Sequence, residues 1–496
     1  MKSSASKNKP AARHNDGPPA GALFQFNGKA SLRQVAPLGL QHLVAAIVGI
    51  VTPAMIIAQQ CAFSPEDTTR LIQMSLVVSA IGTLVQIFPI FRLGSRLPVI
   101  MGISFAYLPT MQAIAGDWIT LHPNQPQAAI SVILGAQIFG GLAAFLVGLF
   151  IKQVRRFFPP LVTGTVIFTI GLSLYPTAVR YMAGGGAPPV YDEVTGALLS
   201  GNVYFGSWHN WLIAAVTLLI VIFFNYFTKG FAKLASILLG MAGGYLLALI
   251  FTVTGVCPLV SFQNVGSAGW FSFVPPGHFG IRFVPSAIVS MVIMYVVNAV
   301  QAIGDFSSTT LGGMDRNPTN KELSGGIMAN GIVSAVGALF GGLPSATYSQ
   351  NVGIVTLTRV INRMVFAFAA VAMLIAGLIP KFSAMLTTIP QCVIGGATLS
   401  VFASITMTGI RMIASAGMSQ RNFGVVGISV SLGVGVTSVA GALGGFPSWV
   451  SSVFGSSSVV IATLAAIVLN LVLPAELEEE PIAQSGDEQE TIPDEE

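Results

Sequence analysis

Pro344-Ser-Ala-Thr-Tyr-Ser-Gln-Asn-Val-Gly353 is short and polar, yet it lies among long apolar runs. Gly102-Ile-Ser-Phe-Ala-Tyr-Leu-Pro109 has the same character in the first half of the chain. Backbone that leaves the helix at membrane depth survives only where it is buried in protein or lines a cavity, because lipid offers it no hydrogen bonds. Two interrupted segments in corresponding halves point to a transporter's binding site. A half-helix beginning near Gln350 would aim its free N–H groups at whatever occupies that site.

The surrounding composition fits this reading. Of 496 residues, 53% are hydrophobic and only 8% are Asp, Glu, Lys or Arg, whereas a soluble domain carries about 25% charged residues. Apolar stretches near the ~20 residues a bilayer requires recur at 34–58, 68–90, 97–116, 128–150, 157–177, 211–228, 232–254, 284–308, 325–341, 345–358, 364–380, 385–407, 424–441 and 453–473. The expectation is an all-α polytopic protein of fourteen spans. Residues 1–33 form a basic cytoplasmic tail, 34–473 the membrane domain, and 474–496 an acidic, disordered cytoplasmic tail. With that count, Arg70, Arg180, Arg282 and Lys381 fall outside and every other Lys and Arg falls inside, the asymmetry that positive-inside topology demands. Both termini are then cytoplasmic. The first span, long and preceded by many residues, reads as a retained helix rather than a cleavable signal, which suits a bacterial inner membrane.

An internal repeat runs through the same spans. Pro159, Gly164, Arg180, Ala183 and Gly186 match Pro390, Gly395, Arg411, Ala414 and Gly417 at an offset of 231 residues. These fall on the fifth and twelfth spans, and the interrupted third and tenth are also seven apart. Seven is odd, so the second copy enters from the opposite side, as in the inverted repeats of many secondary transporters. The copies run over about 34–254 and 284–473.

Few residues in this frame can carry chemistry. Asp305, in Val297-Asn-Ala-Val-Gln301-Ala-Ile-Gly-Asp305, is the one acid inside an apolar run. A charge there costs at least ~2.5–3.5 kcal/mol, so it needs a partner, a proton or a wet cavity. Gln301, one turn earlier, shares its face. Gln350 and Asn351 bring amide donors and acceptors to the half-helix; Asn351 alone could be a cap, but capping does not require Gln350 beside it. Phe105 and Tyr348 read by themselves as packing, His42 as a hydrogen-bonded core histidine, and Asn298 and Asn330 as polar helix contacts. Cys61, Cys257 and Cys392 have no metal or disulfide spacing. Nothing indicates a metal, a cofactor or nucleic acid, and no motif supports an enzyme.

Gln350-Asn-Val-Gly353-Ile-Val-Thr-Leu-Thr358-Arg359 resembles the signature [Q/E/P]-N-x-G-x-x-x-x-T-[R/K/G] of the nucleobase–ascorbate transporter family. Leu40-Gln41-His42, Ser104-Phe105-Ala106 and Gly304-Asp305 are similar to that family too, in the expected spans and order. The resemblance covers about 34–473 and points to the xanthine/urate branch. It implies seven-plus-seven inverted topology, with the third and tenth spans forming short strands plus half-helices, and interleaved core and gate subdomains moving like an elevator. It also implies a homodimer and uptake of a purine nucleobase driven by protons. Gln301 and Gln350 would bond the base, Phe105 and Tyr348 would flank its ring, and Gly353 would contribute backbone. Asn351 would hold the site, with Ser104, Asn330, Thr358 and Arg359 in the surrounding network. Two positions depart from the pattern: Gln301 stands where the family usually has Glu, and Asn330 where xanthine-type members commonly have Asp. Asp305, with His42 behind it, is then left to carry proton coupling.

The leading reading is a proton-coupled importer of xanthine, or of urate. Xanthine is preferred slightly, because the sequence places no cation at mid-membrane for an anionic base. The alternatives are a proton-independent nucleobase facilitator, a permease for uracil or another base, or an anion transporter of the same fold.

Overall fold

The computed structural model describes residues 21–154, 157–186, 190–191, 198–200, 202–439, 441–455 and 457–474. The tail through residue 20, Arg155, Arg156, Asp192, Glu193 and the acidic segment from residue 475 lie outside them.

The chain is mostly helical. In order it forms α1 (Leu32–Gln60), α2 (Pro65–Ile87), a strand β1 (Met101–Ile103), α3 (Leu108–Leu121), α4 (Ala129–Leu149), α5 (Pro160–Met182), α6 (Trp208–Phe227) and α7 (Ser236–Val253). The second half continues with α8 (Pro285–Met314), α9 (Asn320–Leu339), a strand β2 (Ser345–Thr347), α10 (Ser349–Thr358), α11 (Arg363–Leu378), α12 (Gln391–Ser415), α13 (Gln420–Ser438) and α14 (Ser458–Val472). Proline opens α2, α5 and α8, where its missing N–H costs nothing.

Among the described residues nine helices are long and apolar enough to cross a bilayer, or ten if α11 and the short helix Pro380–Leu386, bent by 89° from it, form one span. Of the fourteen expected stretches, the third, tenth, thirteenth and fourteenth do not qualify. The third and tenth are each a strand followed by a half-helix, of 14 and 10 residues, with Pro109 in the first turn of α3 and Pro344 just before β2. The thirteenth opens on Gln420-Arg421-Asn422 and carries several Gly and Ser, and the fourteenth helix has only 15 residues. The stretch expected at 385–407 begins instead after Pro390 and runs on to Ser415; the apolar run was visible, but the proline sets the start.

The helices pack in two groups. α1, α2 and α11 pack together, as do α4, α8 and α9; α5, α6, α7, α12, α13 and α14 form the other group. Inside that second group α5 and α12 run antiparallel at glycine contacts. A Cβ on Gly164 would stand 2.8 Å from the amide nitrogen of Ile413 and 2.9 Å from the carbonyl oxygen of Gly409. One on Gly395 would meet the amide nitrogen of Met182 and come within 2.9 Å of the carbonyl oxygen of Ala178. Each of these three residue pairs, 164/395, 178/409 and 182/413, is separated by the same 231 positions.

β1 and β2 pair antiparallel, Met101 with Thr347, Gly102 with Ala346 and Ile103 with Ser345. The ladder extends through Tyr348 N–H to Ile100 O (3.0 Å) and Ser104 N–H to Pro344 O (3.1 Å). Side chains satisfy backbone around it: Thr83 Oγ1 accepts from Met101 N–H at 2.9 Å, Ser334 Oγ accepts from Ser345 N–H at 3.1 Å, and Gln137 Nε2 donates to Gly342 O at 2.8 Å. Irregular backbone thus finds inside the protein the partners that lipid lacks.

Candidate functional site

Both half-helices start where this two-stranded ladder ends. After β1, Ser104 turns the chain, its Oγ accepting from Ala106 N–H at 3.2 Å, and Phe105 follows. After β2, Tyr348 caps α10, whose first residues are Ser349 and Gln350. The N–H groups of Ser349 and Gln350 make no main-chain hydrogen bond among the described residues, as expected for the first turn of a helix. Gly102 lets the Tyr348 ring lie over β1: a Cβ there would overlap the ring at Cε2. The Tyr348 hydroxyl donates to Ile103 O at 2.8 Å, which fixes the ring's tilt.

These elements and α5, α8 and α12 enclose a cavity of about 260 Å³ lined by Phe105, Gln301, Tyr348, Gln350, Ser404 and Thr408, with Arg411 also on its wall. The volume is just under the ~300–1,000 Å³ common for small-molecule sites. Phe105 and Tyr348 are 6% and 5% exposed. Phe105 also packs edge-on against Phe402 of α12, with ring centroids 5.4 Å apart. Two amides, several hydroxyls and free helix-start N–H groups beside two aromatic rings suit a flat ligand that both donates and accepts hydrogen bonds.

Ser104 also lines this cavity, whereas the remaining expected site residues do not. Asp305 is buried; its Oδ2 accepts from Thr347 Oγ1 at 2.6 Å and its Oδ1 from Ser349 Oγ at 2.7 Å. Asn351 points away, its Nδ2 donating at 3.0 Å to both Nδ1 and the main-chain oxygen of His42. The main-chain oxygen can only accept, so the amide nitrogen must face it, and the His42 proton is left on Nε2. His42 is 1% exposed and packs on Phe366. Gly353 is exposed, one turn along α10, with nothing within 4 Å of a Cβ built there.

Asn330 Oδ1 accepts from Gln86 Nε2 at 2.6 Å, while its own Nδ2 is buried without a partner. Thr358 Oγ1 donates back to Ile354 O at 2.8 Å inside α10. Arg359, in the left-handed conformation that ends α10, lies 3.4 Å from Asp315, which ends α8 in the same conformation.

Five polar lining or anchoring residues went unread as such in the sequence: Thr347, Ser349, Ser404, Thr408 and Arg411. The hydroxyls on either side of Tyr348 stood in the quoted stretch, and alternation along an extended segment turns both to the side opposite Tyr348. Arg411 was counted as a cytoplasmic charge; its place on the cavity wall weakens the case against an anionic base.

A family model described as a permease family matches residues 33–441. The uric acid permease PucJ of Bacillus subtilis is 32% identical over 88% of this chain and 92% of its own length. The xanthine permease XanP of Escherichia coli is 29% identical over 92% of this chain and 95% of its own. Among solved structures, the transmembrane domain of the cyanobacterial bicarbonate transporter BicA aligns with a TM-score of 0.55 at 15% identity, covering 90% of this chain and 100% of that domain. SLC26A9 aligns at 0.57 and 10% identity, over 89% of this chain and 66% of that protein. The structural matches speak for the fold alone. With the Gln350–Arg359 motif seated at the cavity and the family match spanning the paired half-helices and both helix groups, this integral membrane protein belongs to the nucleobase–ascorbate transporter family of permeases.

Proposed function

We propose that the protein is a secondary active transporter that brings an oxopurine, xanthine or urate, across a bacterial plasma membrane by proton symport. The observation that carries this reading is the cavity in which Gln301 and Gln350 stand beside the rings of Phe105 and Tyr348. A buried oxopurine needs each polar edge answered, since an unpaired group costs ~1–3 kcal/mol. Glutamine can donate and accept at once, and the Ser349 and Gln350 N–H groups add donors. Arg411 on the same wall favours retaining urate beside xanthine. The relatives named for xanthine and uric acid agree in substrate class.

Fourteen spans in two inverted sets of seven, with both termini cytoplasmic, is the topology we infer. Its support is the reciprocal glycine contact between α5 and α12 and the pairing of β1 with β2, whose spans are likewise seven apart. α1–α4 and α8–α11 would form the core that holds the substrate, and α5–α7 and α12–α14 the gate, against which the core rises and falls in a homodimer.

Asp305 is the coupling group in this scheme, with His42 behind it. A facilitator is the second reading: Gln301 and Asn330 cannot titrate, and both oxygens of Asp305 are already engaged.

The test is uptake of radiolabelled xanthine by cells lacking their own carriers, with urate, guanine, hypoxanthine and uracil as competitors, with and without a protonophore. Accumulation competed by oxopurines and abolished by the protonophore is the expected result. Uptake that merely equilibrates, indifferent to the protonophore, would establish the facilitator. No uptake of any base would overturn the purine reading and leave the anion transporter.

A further inference from the structure

A second cavity, of about 820 Å³, opens between α1, α3 and α5 and reaches α13 and α14. It contains Arg180, in the last turn of α5, together with Gln59, Gln60, Gln112 and Thr177. Arg180 lies at the end of α5 that meets the start of α12, whereas Arg411 lies near the end of α12, beside the start of α5. The two arginines are 231 residues apart, the same interval as the paired glycines. One therefore stands on the wall of the central cavity and the other on the wall of a cavity at the opposite end of the helix pair.

A last-turn arginine needs no ligand, because the helix dipole favours a cation there. What distinguishes Arg180 is the unused hydrogen-bonding capacity around it. It has no ion-pair partner, and no carboxylate lines its cavity, among the described residues. Gln60 Nε2 is spent on Gln112 O at 2.7 Å, and Gln112 Oε1 accepts from Thr177 Oγ1 at 3.2 Å. That leaves Gln112 Nε2 as a donor, while the Oε1 atoms of Gln59 and Gln60 are buried acceptors without a partner. A cation, an amide donor and two orphaned acceptors together complement a flat anion that carries both carbonyl oxygens and ring N–H groups.

We propose that Arg180, with Gln59, Gln60 and Gln112, is an entry subsite that captures an oxopurine monoanion before it reaches the cavity between Phe105 and Tyr348. This rests on the purine-transport reading above. Positive charge at a cleft mouth raises the encounter rate of an anion and leaves a neutral ligand unaffected.

The experiment compares radiolabelled urate, a monoanion at neutral pH, with radiolabelled hypoxanthine, which is neutral, in carrier-deficient cells expressing the full chain. Arg180→Gln should raise the urate KM about tenfold with kcat held within about twofold, and leave the hypoxanthine KM unchanged. Arg180→Lys should recover most of the loss. Because exposed charges are screened by salt, urate KM in the unaltered protein should rise with ionic strength and in Arg180→Gln should not. Equal effects on the two bases, no effect on either, or a salt-independent urate KM in the unaltered protein would overturn the proposal. The salt series needs no substitution, so a salt-independent urate KM overturns the proposal even if Arg180→Gln fails to reach the membrane, and Arg180→Lys then separates Arg180 from Arg411. An unaltered protein that takes up neither base would bring down the purine reading itself, a result distinct from loss of charge selectivity.

Discussion

Ser349, the first residue of α10, donates its hydroxyl to Asp305 of α8 at 2.7 Å. Thr347 binds the other carboxylate oxygen from the end of β2. The only acid expected inside the membrane therefore joins the long eighth helix to the strand and half-helix that present Tyr348 and Gln350 to the cavity. Any change in its protonation acts on this cavity-lining segment through two hydroxyls.

Asp305→Asn is accordingly expected to abolish proton-driven accumulation of xanthine while the protein still reaches the membrane in normal amount. An amide can accept from only one of the two hydroxyls and must donate toward the other. Uptake with and without a protonophore, normalised to membrane content, checks this; intact accumulation would remove Asp305 from the coupling role.

Removing one of the two hydroxyls tests the tie itself. Thr347→Val leaves a carboxylate oxygen buried without its donor, at a cost of about 1–3 kcal/mol. The melting temperature of the purified protein should fall, and xanthine KM should rise because β2 and Tyr348 lose their anchor. Ser349→Ala should act in the same direction but less, since Ser349 is exposed to the cavity and water can replace its hydroxyl.

Gly102→Ala places a methyl where the Tyr348 ring lies. The ring must swing off β1 and give up its bond to Ile103, which would misplace one wall of the proposed base site. Loss of xanthine binding by isothermal titration, with a melting temperature lowered by a few degrees at most, is the expected pattern. Unchanged affinity would mean that Tyr348 does not contact the base.

Asn351 and His42 should behave as one unit. Asn351→Ala and His42→Ala each remove the bond between Asn351 Nδ2 and His42 Nδ1, while His42→Ala keeps the bond to the main-chain oxygen, so the double variant should be less destabilised than the sum. The coupling is expected to be about 1 kcal/mol, the net worth of a buried hydrogen bond, read from thermal unfolding across the four proteins. Additive losses would show that Asn351 serves something other than this bond.

Gly395→Ala should lower the yield of folded protein sharply, because its methyl meets the backbone of α5, which cannot turn aside as a side chain can. Gly435→Ala on α13 has nothing within 4 Å of the added methyl and should be neutral or slightly stabilising. Membrane yield and melting temperature of the two variants provide the comparison.

Much of this was legible in the sequence because a bilayer leaves few choices. Apolar runs of the right length become helices, and polar interruptions at the same depth must be hidden in protein. The segments at Gly102 and Pro344 could therefore be singled out, and they do border one cavity; the half-helix start near Gln350 was off by one residue. The pairing of β1 with β2 is a long-range contact with no local signature; the resemblance implied two short strands but not that they pair. Asn351 and Gln350 are adjacent and chemically alike, yet one faces α1 and the other the cavity. Helical phase separates adjacent residues by about 100°, and only the packing of α10 against His42 decides which is which. Arg411 was hidden differently: its charge matched a cytoplasmic loop, and only the length of α12, which extends to Ser415, brings it onto the cavity wall.

The small sheet also has a consequence for how the chain is made. Among the described residues Met101–Ile103 pair as a strand only with Ser345–Thr347, and the ribosome must synthesise every residue between them before that partner exists. Until then β1 has only the hydrogen bond from Met101 N–H to Thr83 Oγ1, and the ring that will lie over Gly102 has not been translated. The third segment must wait, shielded by α2 or by the insertion machinery, while most of the chain enters the membrane. The cavity between the two half-helices thus takes shape only after the second half of the chain has been made, and truncation before residue 345 would leave β1 as an open strand for quality control to find.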